Sequence, residues 1–294
     1  MSHSLENRVA IVTGASRGIG RAIALRLARE GARLVLSARD QAALDEVAGA
    51  IRAAGGSAET LARDLRHPEA PGELVQFAVE RMKRVDIVVN NAGATRRGDF
   101  LALTDDDWAD GFALKFFGAV RLTRAAWPHL QRGQGSVVFI SGIGGRTPGR
   151  EFTIGGSVNA AMLSLTKALA DRGVSEGVQV NAINPGAVRT GRFHGRVARI
   201  AELHKIDLAA AERRFVEESG IVRVGEPEDI AGLVAYLVGP EDHGGSVLGH
   251  FCWRFWKGKV PFLPPGGFEF PCTALSGMPD GDDERGRQIL RGAE

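Results

Sequence analysis

The chain has 294 residues, including 39 glycines, two cysteines and one tyrosine, a length that suits one large α/β domain or two small ones. Glycine at about 13%, against a usual ~7%, has no Gly-X-Y period, which excludes collagen and points to turns that demand glycine. The net charge of +2, with both signs interspersed, excludes the basic stripe that nucleic acid requires, and Cys252 and Cys272 are too few for a disulfide framework or a thiolate zinc cage.

In chain order, short apolar runs alternate with segments of helical period. The strand-like runs cover 8–13, 33–38, 58–63, 85–90, 135–141 and 178–184, most of them nearly continuously apolar, as parallel strands covered on both faces are. Between them Ile19 to Glu30, Gln41 to Ala54, Pro71 to Met82, Asp106 to His129 and Ser157 to Ser175 read as crossover helices. This alternation predicts an α/β fold, an open, doubly wound parallel sheet with helices on both faces, over residues 1–250. Residues 193–219, charged and helical, read as a substrate lid, and Tyr236 reads as a packing residue on a late helix. Residues 251–272 hold five phenylalanines, two tryptophans and four prolines with neither helical nor strand period, and 277–294 read as disordered. The aromatic tail is either an extension that packs on a partner subunit or the product of an altered reading frame. The start, MSHSLENRVAIV, has no signal-peptide pattern and no apolar run reaches the ~18 residues of a membrane span, so a cytoplasmic protein without membrane partners is expected.

The first strand runs into Thr13-Gly14-Ala15-Ser16-Arg17-Gly18-Ile19-Gly20 and then a helix. Gly14 suits a tight turn, Gly18 a close approach of backbone to a pyrophosphate, and Gly20 close packing of helix on strand. Together with Asn90-Asn91-Ala92-Gly93 after the fourth strand and Asn184-Pro185-Gly186 after the sixth, this pattern resembles the short-chain dehydrogenase/reductase family over roughly residues 5–240. The resemblance implies a Rossmann-type sheet and cofactor contacts at Gly14, Ser16, Arg17, Gly18, Ile19, Gly20, Asp64, Leu65, Asn91, Ala92, Gly93, Pro185, Gly186, Val188 and Thr190, with Asp64 reading the adenine amino group. At the end of the second strand, where a carboxylate would accept from a ribose diol, stands Ser37-Ala38-Arg39. Arg17 and Arg39 can offer forks to a 2′-phosphate, which favours NADP(H); two solvated surface arginines are the other reading.

The family's chemistry uses a Tyr-x-x-x-Lys pair, a serine thirteen residues before the tyrosine, and a helix asparagine. Registered on Asn159-Ala160-Ala161-Met162 and Leu165-Thr166-Lys167-Ala168-Leu169-Ala170, the lysine position is Asn159, the tyrosine position Gly155 and the serine position Gly142. Lys167, eight residues on, lies about 12 Å further along the helix and cannot substitute. Ser141 would need a twisted strand end to serve. Counting from Trp108, the asparagine position holds Lys115, so the lysine and asparagine look exchanged between neighbouring sites. A partly buried Lys115 with a lowered pKa is expected as the retained charge; a lysine snorkelling to solvent is the other reading. Gly142 and Gly155 would enlarge the pocket. Arg150, Thr153, Ser157 and His194 are nearby polar groups, Ser157 suiting a helix N-terminus. The expectation is an NADP(H)-dependent oxidoreductase of a small carbonyl or alcohol, without a metal, a homo-oligomer (dimer or tetramer) like the family, with Lys115, Asn159 and Ser141 as the catalytic candidates. The alternative is a nucleotide-binding scaffold or regulatory subunit without turnover.

Overall fold

The computed structural model describes residues 4–239 and 251–252. The apolar runs form β1 (Val9–Thr13), β2 (Arg33–Ala38), β3 (Ser57–Ala62), β4 (Ile87–Asn90), β5 (Ser136–Ile140) and β6 (Gln179–Asn184). All pair in parallel, and with β7 (Phe251–Cys252) beside β6 the order is β3-β2-β1-β4-β5-β6-β7. Strand side chains alternate between two cores, which is why most of these runs are nearly continuously apolar. Ala10 and Val12 enter one core, covered by α1 (Gly18–Arg29), α2 (Gln41–Ala53) and α9 (Pro227–Val238). Val9 and Ile11 enter the other, beneath α3 (Ala70–Met82), α5 (Gly118–Gly133) and α6 (Thr153–Glu176). The sheet is pinned near its N-terminal edge by Asp86, which is 1% exposed and accepts from Val9 N at 2.8 Å and from Arg84 Nη2 at 2.7 Å.

The span expected as one helix from Asp106 is α4 (Asp105–Phe112), a π-helical turn over Ala113–Phe117, and α5 in direct continuation. Thr104 and Asp107 close a capping box at its start. The expected lid is a helical hairpin, α7 (Gly191–His204) and α8 (Leu208–Ser219), around its own small core, where the Phe193 and Phe215 rings meet edge to face at 5.3 Å.

Three expectations are corrected. α6 begins at Thr153, so Ser157 is an exposed residue of the second turn and caps nothing. Tyr236 is 55% exposed on the outer side of α9, because the helix turns Val234 and Leu237 inward instead. Phe251–Cys252 pairs with Ile183 and Asn184 although the surrounding sequence has no strand period, since a two-residue strand is too short to show one. The aromatic and disordered tail calls beyond residue 252 lie outside the described residues. Among the described residues no helix is long and apolar enough to cross a membrane, and no group of three potential metal ligands occurs.

Candidate active site

The strand order reverses direction between β1 and β4, and a crevice opens there at the carboxyl ends of the strands. Its floor is the turn after β1. Gly14 and Gly18 have φ of +64° and +55°, and a Cβ on Gly20 would strike Gly14 O, so this turn packs against β1 only with glycines at these positions. The Arg17 side chain makes no capping bond to α1 and the first turn of that helix holds no acid, leaving its N–H groups and positive field open to an anion. A dinucleotide phosphate therefore fits this cradle. Thr13 ties its two walls together: its hydroxyl donates to Val89 O and accepts from Asn91 N and Ala92 N, both at 3.0 Å. Asn91 Nδ2 returns a bond to Thr13 O at 2.9 Å. On the opposite rim, the loop carrying Pro185, Gly186 and Val188 leads to Thr190, whose methyl faces Gly18.

At the adenosine end, Asp64 accepts from the Arg66 backbone N–H at 3.1 Å and from its guanidinium. Burial pushes the Asp64 carboxyl up, but the Arg66 bonds and the charges of Arg66 and Arg39 together hold it below the usual range. Leu65, beside it, is buried. Asp40, the nearest carboxylate after β2, caps α2 by accepting from Ala43 N at 3.1 Å.

A second polar cluster forms where the π turn meets β5 and α6. The extra residue of a π turn shifts the helix register, a distortion frequent at functional sites. Lys115 stands in the middle of it. Its ammonium Nζ donates to Ser141 O at 2.7 Å and to Asn159 Oδ1 at 2.6 Å, and its methylenes pack where a Cβ of Gly93 would lie. Both acceptors are neutral. Burial, and then the nearby Arg192 guanidinium, pull the Lys115 pKa down from 10.5 to about 7. Lys115 and Asn159, 44 residues apart in sequence, therefore meet, and the ammonium does not snorkel to solvent. Ser141 enters through its carbonyl; its hydroxyl is turned into α6, donating to Asn159 O at 3.0 Å.

The enlarged pocket expected from Gly142 and Gly155 is not there. The Phe152 ring covers Gly155, where an added Cβ would collide with its edge, and it also covers Gly144, with an added Cβ only 2.7 Å from the ring. On the Gly142 side an added Cβ would lie 2.8 Å from Asn159 Nδ2, and the φ of +154° disfavours any side chain. The space left by two absent side chains is thus taken by two neighbouring ones. The Arg97 guanidinium stacks on the Phe152 ring, 4.1 Å from its centroid.

Arg192, in the first turn of α7, reaches across the crevice and donates to Gly93 O, joining the lid to the loop after β4. Burial and the charge of Arg17 lower its pKa. Neither Thr13, Arg192, Phe152 nor Arg97 was expected from sequence. A lone aromatic among glycines at 149, 155 and 156 was a visible signal for Phe152; Arg192 and Arg97 had none, because only the fold brings their loops together. Of the other polar groups, Thr153 starts α6 with a buried hydroxyl that has no partner among the described residues, while Arg150 and His194 are exposed.

With this geometry in view, likeness to known proteins becomes informative. The sequence model of the short chain dehydrogenase family matches residues 8–200. An uncharacterized oxidoreductase of Mycobacterium tuberculosis is 39% identical over 248 residues, 83% of this chain and 89% of that protein. The crystal structure of L-sorbose reductase from Gluconobacter frateurii, complexed with NADPH and L-sorbose, superposes with a TM-score of 0.78 at 29% identity, covering 82% of this chain and 92% of that one. A 3-oxoacyl (acyl-carrier-protein) reductase from Agrobacterium tumefaciens with NADP bound gives 0.72 at 32% identity, over 81% and 89% of the two chains. The parallel sheet with its reversal between β1 and β4, the glycine turn beneath the crevice and the match over residues 8–200 agree, and the chain belongs to the short chain dehydrogenase family.

Proposed function

We propose that this protein is an NADP(H)-dependent oxidoreductase that interconverts a carbonyl and an alcohol, with Lys115 as the proton-transferring group. One observation carries the reading: the Lys115 Nζ, its pKa near 7, is held by two neutral acceptors at 2.7 and 2.6 Å beside Gly93, with no carboxylate bonded to it.

The cradle of Gly14, Ser16, Arg17, Gly18, Ile19 and Gly20 would hold the pyrophosphate, Asp64 and Leu65 the adenine, Arg17 and Arg39 the 2′-phosphate, and Asn91, Ala92, Gly93, Pro185, Gly186, Val188 and Thr190 the nicotinamide half. Support for NADP(H) over NAD(H) comes from the end of β2: no carboxylate occupies the turn before Asp40, and Asp40 itself caps α2. Two relatives solved with NADPH or NADP bound point the same way. Bound here, the cofactor supplies the hydride.

The residues of the chain handle the proton. An ammonium has three donors, and Ser141 O and Asn159 Oδ1 take two of them, leaving one for a substrate oxygen. In reduction this third proton passes from Nζ to the oxygen as it gains negative charge, leaving a neutral amine whose two N–H groups keep the same acceptors. In oxidation the lone pair of that amine accepts the hydroxyl proton. Asn159 and the Ser141 carbonyl thus aim the working lobe in either protonation state, and a pKa near 7 suits both directions.

Lys115→Met tests this: turnover of carbonyl substrates is lost while NADPH still binds. A second reading, a nucleotide-binding scaffold without turnover, draws support from the Phe152 ring that covers Gly155. Under it the parent protein shows no turnover to lose. A homo-oligomer and a cytoplasmic location belong to the first reading; light scattering and cell fractionation check them.

A further inference from the structure

Beyond Gly93 lie the loop 94–99, the start of α6 and the α7–α8 hairpin. Arg97 projects from the loop and Arg196 from α7. The Arg97 guanidinium lies over the Phe152 ring, 4.1 Å from its centroid, and Arg196 over the Phe215 ring at 4.5 Å. The two are close enough that the positive charge of Arg196, after burial, lowers the Arg97 pKa, with Glu151 the one acid acting against it. Among the described residues neither guanidinium makes a hydrogen bond or an ion pair. Arg192 stands one helical turn before Arg196 on the same face and donates to the carbonyl of Gly93, whose Cβ position the Lys115 methylenes occupy, so Arg196 lies one helical turn from a residue that reaches the Lys115 site.

A cation–π contact uses one side of a guanidinium and leaves its N–H groups available to an anion. Such a fork matches the two oxygens of a carboxylate or phosphate. The two like charges share one counter-charge, Glu151, which bonds neither guanidinium among the described residues, so a further anion would complete the charge balance. Arg17 and Arg192 lie toward the glycine cradle and are accounted for by cofactor phosphates. Arg97, on the ring that covers Gly155, and Arg196 are not.

We propose that Arg97 and Arg196 form an anion-recognising rim that selects carbonyl substrates carrying a carboxylate or phosphate, held with the carbonyl toward Lys115. This rests on the oxidoreductase reading above and deepens it by naming the substrate class.

The test has two arms. In the first, NADPH consumption is followed with straight-chain 2-oxo to 5-oxo carboxylic acids, each beside its methyl ester. At the preferred chain length the acid should exceed its ester in kcat/KM by about 10- to 100-fold, as expected for charge-assisted hydrogen bonds, and Arg97→Ala/Arg196→Ala should erase the difference, chiefly through KM. In the second arm, succinate and inorganic phosphate are titrated calorimetrically into the protein saturated with NADPH, so that the cofactor cradle is already filled. Binding should be present in the parent and absent in the double variant. Both arginines are exposed, and circular dichroism checks that the variant is folded. Equal rates for acid and ester, or anion binding that survives the double substitution, overturns the proposal. Anion binding lost in the variant, with no turnover of any compound by the parent, leaves the rim standing and defeats the oxidoreductase reading instead.

Discussion

Lys115 sets the pH behaviour at the scale of single residues. Its folded pKa, about 7, lies below the 10.5 of the unfolded chain. Between these values the unfolded state binds more protons, so stability attributable to this group rises with pH from 7 to 10.5, and the burden of the buried charge is fully present below 7. Lys115→Met should therefore be more stable than the parent at pH 6, with the gain shrinking towards pH 10, as read from urea midpoints. Reduction requires the ammonium, so its kcat should fall as pH rises through about 7, while oxidation should rise over the same range. Lys115→Arg keeps the charge but cannot release a proton, and its profile should be flat there. Phe152 governs the size of the pocket. Phe152→Ala uncovers Gly144 and Gly155 and should raise kcat/KM for bulky carbonyls over small ones by about tenfold or more, measured across a graded substrate series.

Individual elements show how tightly the glycine turn is specified. Gly20→Ala drives a methyl into Gly14 O and to within 2.5 Å of Asn91 Nδ2, which displaces the turn itself. NADPH affinity should fall by about tenfold or more in a fluorescence titration, with the fold retained by circular dichroism. Asp86 is the structural counterpart away from the site. Asp86→Ala strips the acceptor from Val9 N and from Arg84, and should lower stability by about 1–3 kcal/mol in urea unfolding. Strands β1 to β6 were legible within one or two residues at each end, because runs such as Val9–Val12 are apolar at every position and meet a glycine or asparagine within two residues. The helix through Lys115 was legible as a helix but not as a π turn: Ala113-Leu114-Lys115-Phe116-Phe117 differs in no local preference from an ordinary helical turn.

For the molecule as a whole, the α7–α8 hairpin is tied to the start of α9 through Arg189, which donates to Glu212 of α8 at 2.9 Å and to Glu226 before α9 at 2.9 Å. Arg189→Ala releases both carboxylates, and amide hydrogen exchange should quicken in residues 191–219 with little change in the sheet. The sequence by itself determined a parallel sheet with helices on both faces and the glycine cradle, because each follows from a pattern within a few residues: strand period, turn chemistry and helix start. The pairing of Lys115 with Asn159 was an expectation of the family resemblance. The tertiary structure decided that Lys115 is held between Ser141 O and Asn159 Oδ1, that Phe152 fills the space above Gly155, and that Arg97 lies over the Phe152 ring and Arg196 over that of Phe215. These side chains come from loops and helices that follow β4, β5 and β6, and only the parallel sheet, which places the ends of those strands at one edge, brings them within reach of each other.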